Sequence, residues 1–563
     1  MTATVAILLI IVAQCSGFST FWTDPSLVSS LPDPPSPERL ALIQEKPYKG
    51  GFEPAVDADG PYEPVISYGK IPDDLVGSLA SNGAGRIRIG DTQYGHWFDG
   101  DGYVSMLNLD GKANRATFHG RYIRTKRFLE QQKLMEKIKK DQNEDALAQP
   151  PLAFSGAWTK RGRGEWYENI GRIPTSPANT ATMWVKSSSK PKLYALCEGG
   201  HPIQLDPKTL EVIRDEQPFS SSDGSNVIDS FFSAHFKRCP ITGDLYNHGF
   251  LIRPGPLPKE INVMKLSSDG SLLHQAKSPL PFDCFVHDSA MSANYLIFFL
   301  PPYYVPNDKV LAMISGTESL GKLLEWRGED DTTYLQINSK NYLNVQWRIE
   351  LPGTTSLYHF LDAFEEPSDD GSICLKVRIA EHEPADRVAL ENQFADQYRV
   401  ADKTINAVLR EYNFHLGRNG DGHFLSKRNV ANDATFCEYP VVNSSYRPTD
   451  RRRFCWTNAL SDPSVEWLNG IQKVDMDTGA SSKVTTFGPD TYAGPPSFVP
   501  KRENIAEDDG YILTTVYRST EHRSDVVVLD AATLETLCIM QLRNHLPFQF
   551  HGDYLCQRTD HLK

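Results

Sequence analysis

The chain has 563 residues, of which 40% are hydrophobic and 23% are charged, and its formal net charge is −13 at pH 7. This length exceeds what one hydrophobic core usually serves, so several domains or one large repeated architecture are required. The acidic balance argues against a nucleic-acid partner, because phosphate binding needs a basic surface and the longest basic run is only Arg451-Arg452-Arg453.

The N-terminus predicts a signal peptide over residues 1–17. An apolar run from Val5 to Ala13 is followed by small residues that end at Gly17, and a run this short does not span a bilayer. The Gly17-Phe18 junction also resembles the bipartite presequences of algae with complex plastids. We therefore expect entry into the secretory pathway, with a plastid as one destination and secretion or the ER lumen as the alternative.

A leader rich in proline and serine, residues 18–60, comes next, and we predict that the folded domain covers residues 61–563. The chain beyond the leader consists of short apolar or alternating runs bounded by turn residues, among them HWFDGDGYVSMLNLDG, YLIFFLPP, GYILTTVYR and SDVVVLDAATLETLCIM. Runs of this length and pattern are typical of strands. The sequence therefore predicts an all-β fold.

Four turns between these runs look alike: LDPKTLE from Leu205, CPITGDL from Cys239, VDMDTGA from Val474 and LDAATLE from Leu529. Each places an aspartate or proline and a threonine where a β-turn uses bonds from side chain to backbone. A recurring strand–turn–strand unit is typical of a radial β-fold, and about seven blades of ~40–45 residues would use ~300 residues. A β-propeller fits, with the remaining residues in loops and a cap.

One segment, Arg124 to Leu147, is strongly charged and has apolar residues at helical spacing. It predicts a surface helix or an inserted loop. A basic amphipathic helix can also lie on a membrane, but acidic residues dilute its charge, so we favour the solvated helix.

Nine cysteines are scattered along the chain without a C-x-x-C pair, and removal of the presequence leaves eight. An even number suits disulfides in a secreted protein, but the spacing is irregular and a chain of this length does not depend on them. We therefore expect isolated buried thiols.

Four of the fifteen histidines, His235, His287, His359 and His551, lie within or beside apolar sequence, where burying an uncompensated imidazole is costly. They are too far apart along the chain for a local metal-binding motif. In a propeller, strands from different blades approach one another at the central axis. Four imidazoles that converge there would suit a borderline transition metal, and Fe(II), Cu and Zn are all chemically open.

The histidines and their flanking sequences resemble the carotenoid cleavage oxygenase family over nearly the whole chain after about residue 66. Five motifs carry the resemblance in the right order: HWFDGDGYV from His96, SAHFKRCPITGDLY, VHDSAMSANYLIF, YHFLDAFEE and FHGDY. The resemblance implies a seven-bladed β-propeller whose helical or loop cap forms a hydrophobic substrate tunnel.

The same resemblance implies one axial Fe(II) per chain, held by His235, His287, His359 and His551 without a carboxylate ligand. O₂ and a hydrophobic polyene are the implied partners, and peripheral contact with a membrane for substrate uptake stays open. No catalytic residue beyond the metal ligands is implied. His96 belongs to a structural motif of the family, and His248 is expected to be an ordinary strand or surface residue.

Relatives use three glutamates to hold the second nitrogens of the ligands, a role that outer carboxylates commonly fill. Glu198 in LYALCEGG and Glu438 in ATFCEYPVV match two of them. The third departs from the pattern, because GPPSFVP has Pro495 at the expected glutamate. Proline offers no side-chain acceptor, so one ligand has to rely on another group.

The implied function is that of an Fe(II) dioxygenase that cleaves a conjugated C=C bond of a carotenoid or apocarotenoid, giving aldehyde or ketone products. Stilbenoid cleavage and retinoid-type isomerohydrolysis are alternatives on the same scaffold. Pro495 also motivates a third alternative, a catalytically silent propeller that binds an isoprenoid. The four histidines argue against it, because a pure binder does not need all of them.

Overall fold

A computed structural model describes residues 36–89, 92–94, 97–129, 131–132, 176–187, 190–250, 260–282, 284–304, 306, 309, 324–327, 332–383, 406–432, 436–446, 451–462 and 464–556. The predicted signal peptide, the first part of the leader, His96 and most of the segment 124–147 lie outside the described residues. Residues 126–129 of that segment are helical.

Strands are the main regular secondary structure in the described part of the chain. The strands up to residue 122 are β1 (Ala58–Tyr62), β2 (Val65–Gly69), β3 (Val76–Arg86), β4 (Arg88–Ile89), β5 (Thr92–Gln93), β6 (Asp101–Asp110) and β7 (Arg115–Tyr122). Those between residues 181 and 304 are β8 (Ala181–Val185), β9 (Lys192–Leu196), β10 (Ile203–Leu205), β11 (Val212–Arg214), β12 (Lys237–Arg238), β13 (Leu245–Phe250), β14 (Glu260–Leu266), β15 (Leu272–Pro279), β16 (Ala290–Met291), β17 (Tyr295–Leu300) and β18 (Tyr303–Tyr304).

The second half of the chain continues in the same way. The strands between residues 325 and 441 are β19 (Glu325–Trp326), β20 (Tyr334–Ser339), β21 (Val345–Glu350), β22 (Ser356–Pro367), β23 (Ile373–Glu383), β24 (Asn406–Leu416), β25 (Gly422–Asn429) and β26 (Glu438–Val441). The remaining strands are β27 (Phe454–Ala459), β28 (Gly470–Asp475), β29 (Ala480–Ser481), β30 (Thr485–Thr486), β31 (Thr491–Ala493), β32 (Ser497–Pro500), β33 (Gly510–Arg518), β34 (Arg523–Asp530), β35 (Thr536–Gln541) and β36 (Gln549–Cys556).

Apart from β4-β5 and β18-β19, which form two additional two-stranded sheets, these strands form seven antiparallel sheets, which we call blades I to VII. Their strand orders are β1-β7-β6-β3-β36 (I), β11-β10-β9-β8 (II), β12-β13-β14-β15 (III), β16-β17-β20-β21 (IV), β22-β23-β24-β25 (V), β26-β27-β28-β29 with β30 on β28 (VI), and β2-β35-β34-β33-β31 with β32 on β33 (VII). The predicted all-β, seven-bladed propeller is confirmed. Segments long enough to build the predicted cap, residues 133–175, 310–323 and 384–405, lie outside the described residues.

The two ends of the chain close the ring. The last strand, β36, pairs with β3 of blade I, so that His551 lies opposite Asn82. The early strand β2 pairs with β35 and completes blade VII. Full closure protects most strand edges of a propeller, and here it also brings the C-terminal strand to the axis.

Each pair of neighbouring blades shares one buried apolar cluster, so the core is distributed around the ring. Each cluster contains residues from both blades. One residue from each blade illustrates it: Val104 and Leu193 (I–II), Met183 and Met264 (II–III), Val263 and Phe298 (III–IV), Ile337 and Val377 (IV–V), Leu409 and Val474 (V–VI), Ile471 and Val527 (VI–VII), and Val528 and Leu107 (VII–I). Successive side chains of a strand point to opposite faces. Strands buried on both faces therefore read as continuous apolar runs, which explains SDVVVLD in β34 and YLIFFL in β17.

The four similar turns connect neighbouring strands within a blade, as the sequence predicts. In three of them the aspartate side chain accepts backbone N–H groups two and three residues ahead. Asp206 Oδ1 accepts from Lys208 and Thr209 at 2.8 and 2.9 Å, and Asp530 Oδ1 makes the equivalent bonds at 2.9 and 3.0 Å. Asp475 is the third.

The described helices are few and short. Helix α1 covers Pro37–Glu45, and 3₁₀ helices cover Pro47–Phe52, Trp97–Asp99 and Ser519–Glu521. Phe52 packs against Trp97 and Phe548 with ring centroids 5.1 Å away in both cases. Residues 36–60 of the predicted leader therefore pack against the propeller, while a domain boundary at residue 60 stays a prediction.

Two further sequence features are located in the described part of the chain. Its eight cysteines are free thiols, and all except Cys374 and Cys556 are buried. None of its helices has the length and apolarity needed to cross a membrane.

Asn82 links blade I to the start of blade II. Its side-chain amide donates to the carbonyls of Ala178 and Ala181 at 2.7 and 3.2 Å, and the residue is fully buried. Replacing Asn82 with alanine removes both bonds and leaves the carbonyls without this donor, which we expect to destabilise the protein by about 2 kcal/mol. Thermal unfolding followed by circular dichroism measures this, with Asn429→Ala at an exposed position of β25 as the control; equal midpoints would contradict the role of Asn82.

Candidate metal centre

Four blades contribute the four predicted histidines at the side of each sheet that faces the axis. His235 and His287 lie just before β12 and β16, the first strands of blades III and IV. His359 lies within β22 of blade V, and His551 lies within β36 of blade I. Because each of these strands stands at the inner end of its sheet, the fold brings together residues that are distant in sequence.

The four rings form one compact cluster. The ring centroid of His235 lies 4.3, 5.3 and 4.7 Å from those of His287, His359 and His551. The centroids of His359 and His551 are 5.0 Å apart. One ring nitrogen from each of His235, His359 and His551 lies within 4.8 Å of the other two.

The inward direction of His359 follows from an irregularity in β22. Leu357 pairs with Glu381, but the next registered pair is Phe360 with Ile379, so Tyr358 and His359 face only one residue of β23. Bulges of this kind re-aim side chains and are common beside active sites.

The pKa values of the cluster favour neutral rings. Burial lowers the pKa of His235, His287 and His551 well below the ordinary histidine value, and the neighbouring imidazoles lower it further. Neutral imidazole is the form that offers a lone pair to a metal. The electrostatics of these three residues therefore suit metal ligation.

His359 differs because it is paired with a carboxylate. Burial by itself would lower the pKa of His359, but the charge of Glu438 and a hydrogen bond to it raise the pKa above the ordinary value. Nδ1 of His359 lies 2.6 Å from Oε2 of Glu438. Because Nδ1 makes this contact, Nε2 of His359 points away from Glu438. That nitrogen is buried and has no hydrogen-bond partner within the described residues.

Glu438 begins β26 of blade VI and is buried. Burial favours its neutral acid form, but His359 and a second imidazole, His382, hold its pKa well below the usual range. Glu438 is therefore an ionised outer carboxylate beside His359, in the arrangement that fixes ring orientation at many metal sites.

Glu198 follows β9 of blade II and lies between two of the histidines. Its Oε1 is 3.4 Å from Nε2 of His235 and 3.3 Å from Nδ1 of His287. Burial raises the pKa of Glu198 to about 7. The two predicted outer glutamates thus occupy different environments, one paired and ionised, the other strongly desolvated.

Pro495 lines the same cavity as His551, and this cavity has a volume of about 510 Å³. His235 and His359 also line it, together with polar side chains such as Thr514. Within the described residues, His551 makes no hydrogen bond or ion pair with a carboxylate. Among the residues that the structure describes, no glutamate therefore contacts the imidazole of His551.

Asp288 is a site residue that the sequence reasoning missed. Its Oδ1 accepts from Nζ of Lys237 at 2.7 Å, and its Oδ2 accepts from the backbone N–H of Phe360 at 2.9 Å. One buried carboxylate thus joins the segments that carry His235, His287 and His359. The sequence offered one signal for Asp288, its position directly after His287. Its partners Lys237 and Phe360 could not be predicted, because they lie on other blades.

His248 is not part of the cluster. His248 is buried in β13, and its Nε2 lies 3.2 Å from the carbonyl of Val286, just ahead of His287. It is the strand residue that the sequence predicts, rather than a surface one. His96 lies outside the described residues.

Comparison with known proteins identifies the family. Residues 52–555 match the family described as "Retinal pigment epithelial membrane protein" (RPE65). The chain belongs to this family, the carotenoid oxygenases. The resemblance seen in the sequence motifs is thereby confirmed.

Curated relatives align along most of the chain. Apocarotenoid-15,15'-oxygenase of Synechocystis is 26% identical over 86% of this chain and 91% of the relative. Lignostilbene-alpha,beta-dioxygenase isozyme III of Sphingomonas paucimobilis is 27% identical over 80% of this chain and 83% of the relative. The crystal structure of cobalt-substituted Synechocystis ACO superposes with a TM-score of 0.73 at 24% identity, covering 91% of this chain and 98% of that one, which supports the fold.

The cluster of this carotenoid oxygenase fits a transition metal. Nε2 of His359 is buried and has no hydrogen-bond partner in the described part of the chain. Nε2 of His235 is also buried and makes no hydrogen bond there, although Oε1 of Glu198 lies 3.4 Å from it. Buried polar atoms are rarely left unsatisfied, and such exceptions point to an ion or another absent group. An all-imidazole donor set is suited to iron, copper, zinc or nickel, and poorly suited to magnesium or calcium.

Aromatic side chains flank the cluster and provide an apolar surface. Tyr358 lies 5.2 Å from His287 and 6.2 Å from Phe98 between ring centroids. Phe98 in turn contacts Phe550 at 5.7 Å, and Phe550 contacts Trp97 at 4.3 Å. These rings form a continuous apolar patch beside the histidines, in which Trp97 and Phe550 are buried and Phe98 and Tyr358 are partly exposed. Partly exposed aromatic rings of this kind disfavour water and can stack against a flat conjugated molecule.

Replacing His287 with alanine should reduce metal binding at least tenfold, because the remaining histidines cannot complete the donor set. Equilibrium dialysis followed by metal analysis measures this. His423→Ala, which alters an exposed histidine of β25, is the matched control and should bind like the wild type. Equal metal content in the two variants would exclude His287 as a ligand.

Replacing Pro495 with glutamate should slow metal loss severalfold, because it restores an acceptor in the cavity that His551 lines. The rate of transfer of bound Co²⁺ to a chelator measures the effect. Pro495→Gln adds a side-chain acceptor without a negative charge, so it separates the effect of the charge from that of removing proline. Pro495→Ala shows the effect of losing the proline ring alone. A glutamate variant no slower than the alanine variant would show that His551 does not use this position.

Proposed function

We propose that this protein is a non-heme Fe(II) dioxygenase that cleaves a conjugated C=C bond of a carotenoid or apocarotenoid and yields aldehyde or ketone products. The observation that carries the proposal is the convergence of His235, His287, His359 and His551 from four blades onto one buried point. These four residues are the proposed ligands of one iron per chain, with Glu198 and Glu438 as outer partners.

The iron, when bound, supplies redox chemistry that allows O₂ to react with an alkene. The four neutral imidazoles would not offset the charge of a bound Fe²⁺, and uncompensated positive charge favours Fe(II) over Fe(III). Glu438 fixes the His359 ring through Nδ1 and keeps its Nε2 available. No other side chain is assigned as an acid or base, because neither oxygen atom arrives as water.

The aromatic patch formed by Trp97, Phe98, Tyr358 and Phe550 supports a polyene substrate. A conjugated chain offers a long flat apolar surface and few polar handles, so its binding relies on stacking and on exclusion of water. Excluding water also protects the reacting bond from competing hydration. The position of the bond that is cut then depends on how far the chain extends past the histidines.

Stilbenoid cleavage is the second candidate. It is favoured by the similarity to lignostilbene-alpha,beta-dioxygenase isozyme III, which spans 80% of this chain. A stilbenoid also presents a flat conjugated double bond, so the same aromatic patch would receive it. The two substrates differ in length and in the phenolic groups at the ends of the stilbenoid.

A plastid is the proposed location, reached through the predicted presequence of residues 1–17. The supporting comparison is with relatives named as chloroplastic, such as 9-cis-epoxycarotenoid dioxygenase NCED6 of Arabidopsis thaliana, 23% identical over 92% of this chain. Peripheral contact with a membrane is proposed for substrate uptake, because polyenes partition into lipid.

The proposal predicts that purified protein reconstituted with Fe²⁺ binds about one iron per chain and converts a carotenoid or apocarotenoid into carbonyl products. Incubation under ¹⁸O₂ with a panel of carotenoids, apocarotenoids and stilbenoids, followed by liquid chromatography and mass spectrometry, identifies the products and the origin of their oxygen. His287→Ala serves as the inactive control.

Label from ¹⁸O₂ in the carbonyl products of a carotenoid would support the first candidate, and turnover of stilbenoids alone would favour the second. Iron-loaded protein that gives no carbonyl product from any member of the panel would overturn the enzymatic proposal and favour an isoprenoid-binding propeller.

A further inference from the structure

Glu438 contacts two imidazoles, one on each oxygen. Its Oε2 faces Nδ1 of His359 at 2.6 Å, and its Oε1 faces Nε2 of His382 at 2.5 Å. His382 lies in β23 of blade V and is only 2% exposed. It belongs to none of the motifs that identify the family.

The backbone explains how His382 reaches this position. In the pairing of β22 with β23, His382 lies opposite Ser356, three residues before His359. The bulge between Leu357 and Phe360 turns His359 toward the axis, while Glu438 approaches from blade VI. The carboxylate is therefore enclosed between two imidazoles of the neighbouring blade.

We propose that His382 is a positioning residue that orients Glu438, and through it the His359 ring, at the metal centre; this inference rests on the proposed metal site. A carboxylate held at one oxygen only can rotate about its terminal torsion, which is broad and roughly two-fold. The N–H at Nε2 of His382 donates to Oε1 of Glu438, so the carboxylate is held with Oε2 facing Nδ1 of His359. The backbone N–H of Tyr439, 3.0 Å from Oε2, adds a further restraint.

The surroundings of His382 fit a positioning role. Its ring packs edge to face against Tyr358 with centroids 5.2 Å apart, and Tyr358 packs in the same way against His287. Nδ1 of His382 is buried and has no hydrogen-bond partner within the described residues, so Nε2 makes its one defined polar contact there. Loss of an outer partner at a metal site typically costs 10–100-fold in metal affinity or activity.

The test uses the full-length protein loaded with Co²⁺, whose visible absorption reports ligand geometry. Glutamine and asparagine are the informative replacements for His382, because a glutamine amide nitrogen reaches the position of Nε2 and an asparagine amide nitrogen does not. We expect His382→Gln to keep the wild-type spectrum and metal dissociation rate. His382→Asn and His382→Leu should shift the spectrum and release cobalt about tenfold faster.

A double-mutant cycle with Glu438→Gln shows whether His382 acts through the carboxylate. If it does, His382→Leu should add little to the loss caused by Glu438→Gln. Additive losses, or equal dissociation rates for the wild type, His382→Gln and His382→Asn, would overturn the role of His382 while leaving the metal site intact. Wild-type protein that binds no cobalt would overturn the proposed function together with this inference.

Discussion

Closure of the ring by β36 on β3 is the constraint on which the site depends. His551 comes from the end of the chain and lies opposite Asn82, near its beginning. The other three histidines come from blades III, IV and V, so each imidazole belongs to a different sheet. The cluster therefore exists only when the whole propeller is assembled, and its geometry is set by how the blades pack rather than by any local segment.

Packing between blades also accounts for the precision of the site. Each gap between neighbouring blades is filled by its own apolar cluster, so the blades cannot slide without opening cavities, and interiors packed at this density resist such changes. Polar contacts then join the inner ends of the sheets. Asp288 connects blade IV to blade V through the backbone of Phe360.

The carboxylates around the histidines make the centre asymmetric. Glu438 is ionised because two imidazoles compensate for its burial, whereas desolvation dominates at Glu198 and raises its pKa to about 7. Pro495 lines the cavity at the fourth histidine and has no side-chain acceptor. The four imidazoles thus have three kinds of surroundings and are not equivalent to one another.

The sequence by itself predicted the strands and the hairpin turns with their aspartate contacts, and it singled out the four histidines and two glutamates that the structure brings together. Those signals are either local, as at Asp206 and Asp530, or carried by family motifs. Only the tertiary structure decided which groups these residues meet. The contacts of Asp288 and His382 depend on a bulge in β22 and on the packing of neighbouring blades. Such contacts join residues on different sheets, and no short stretch of sequence encodes the distance between them.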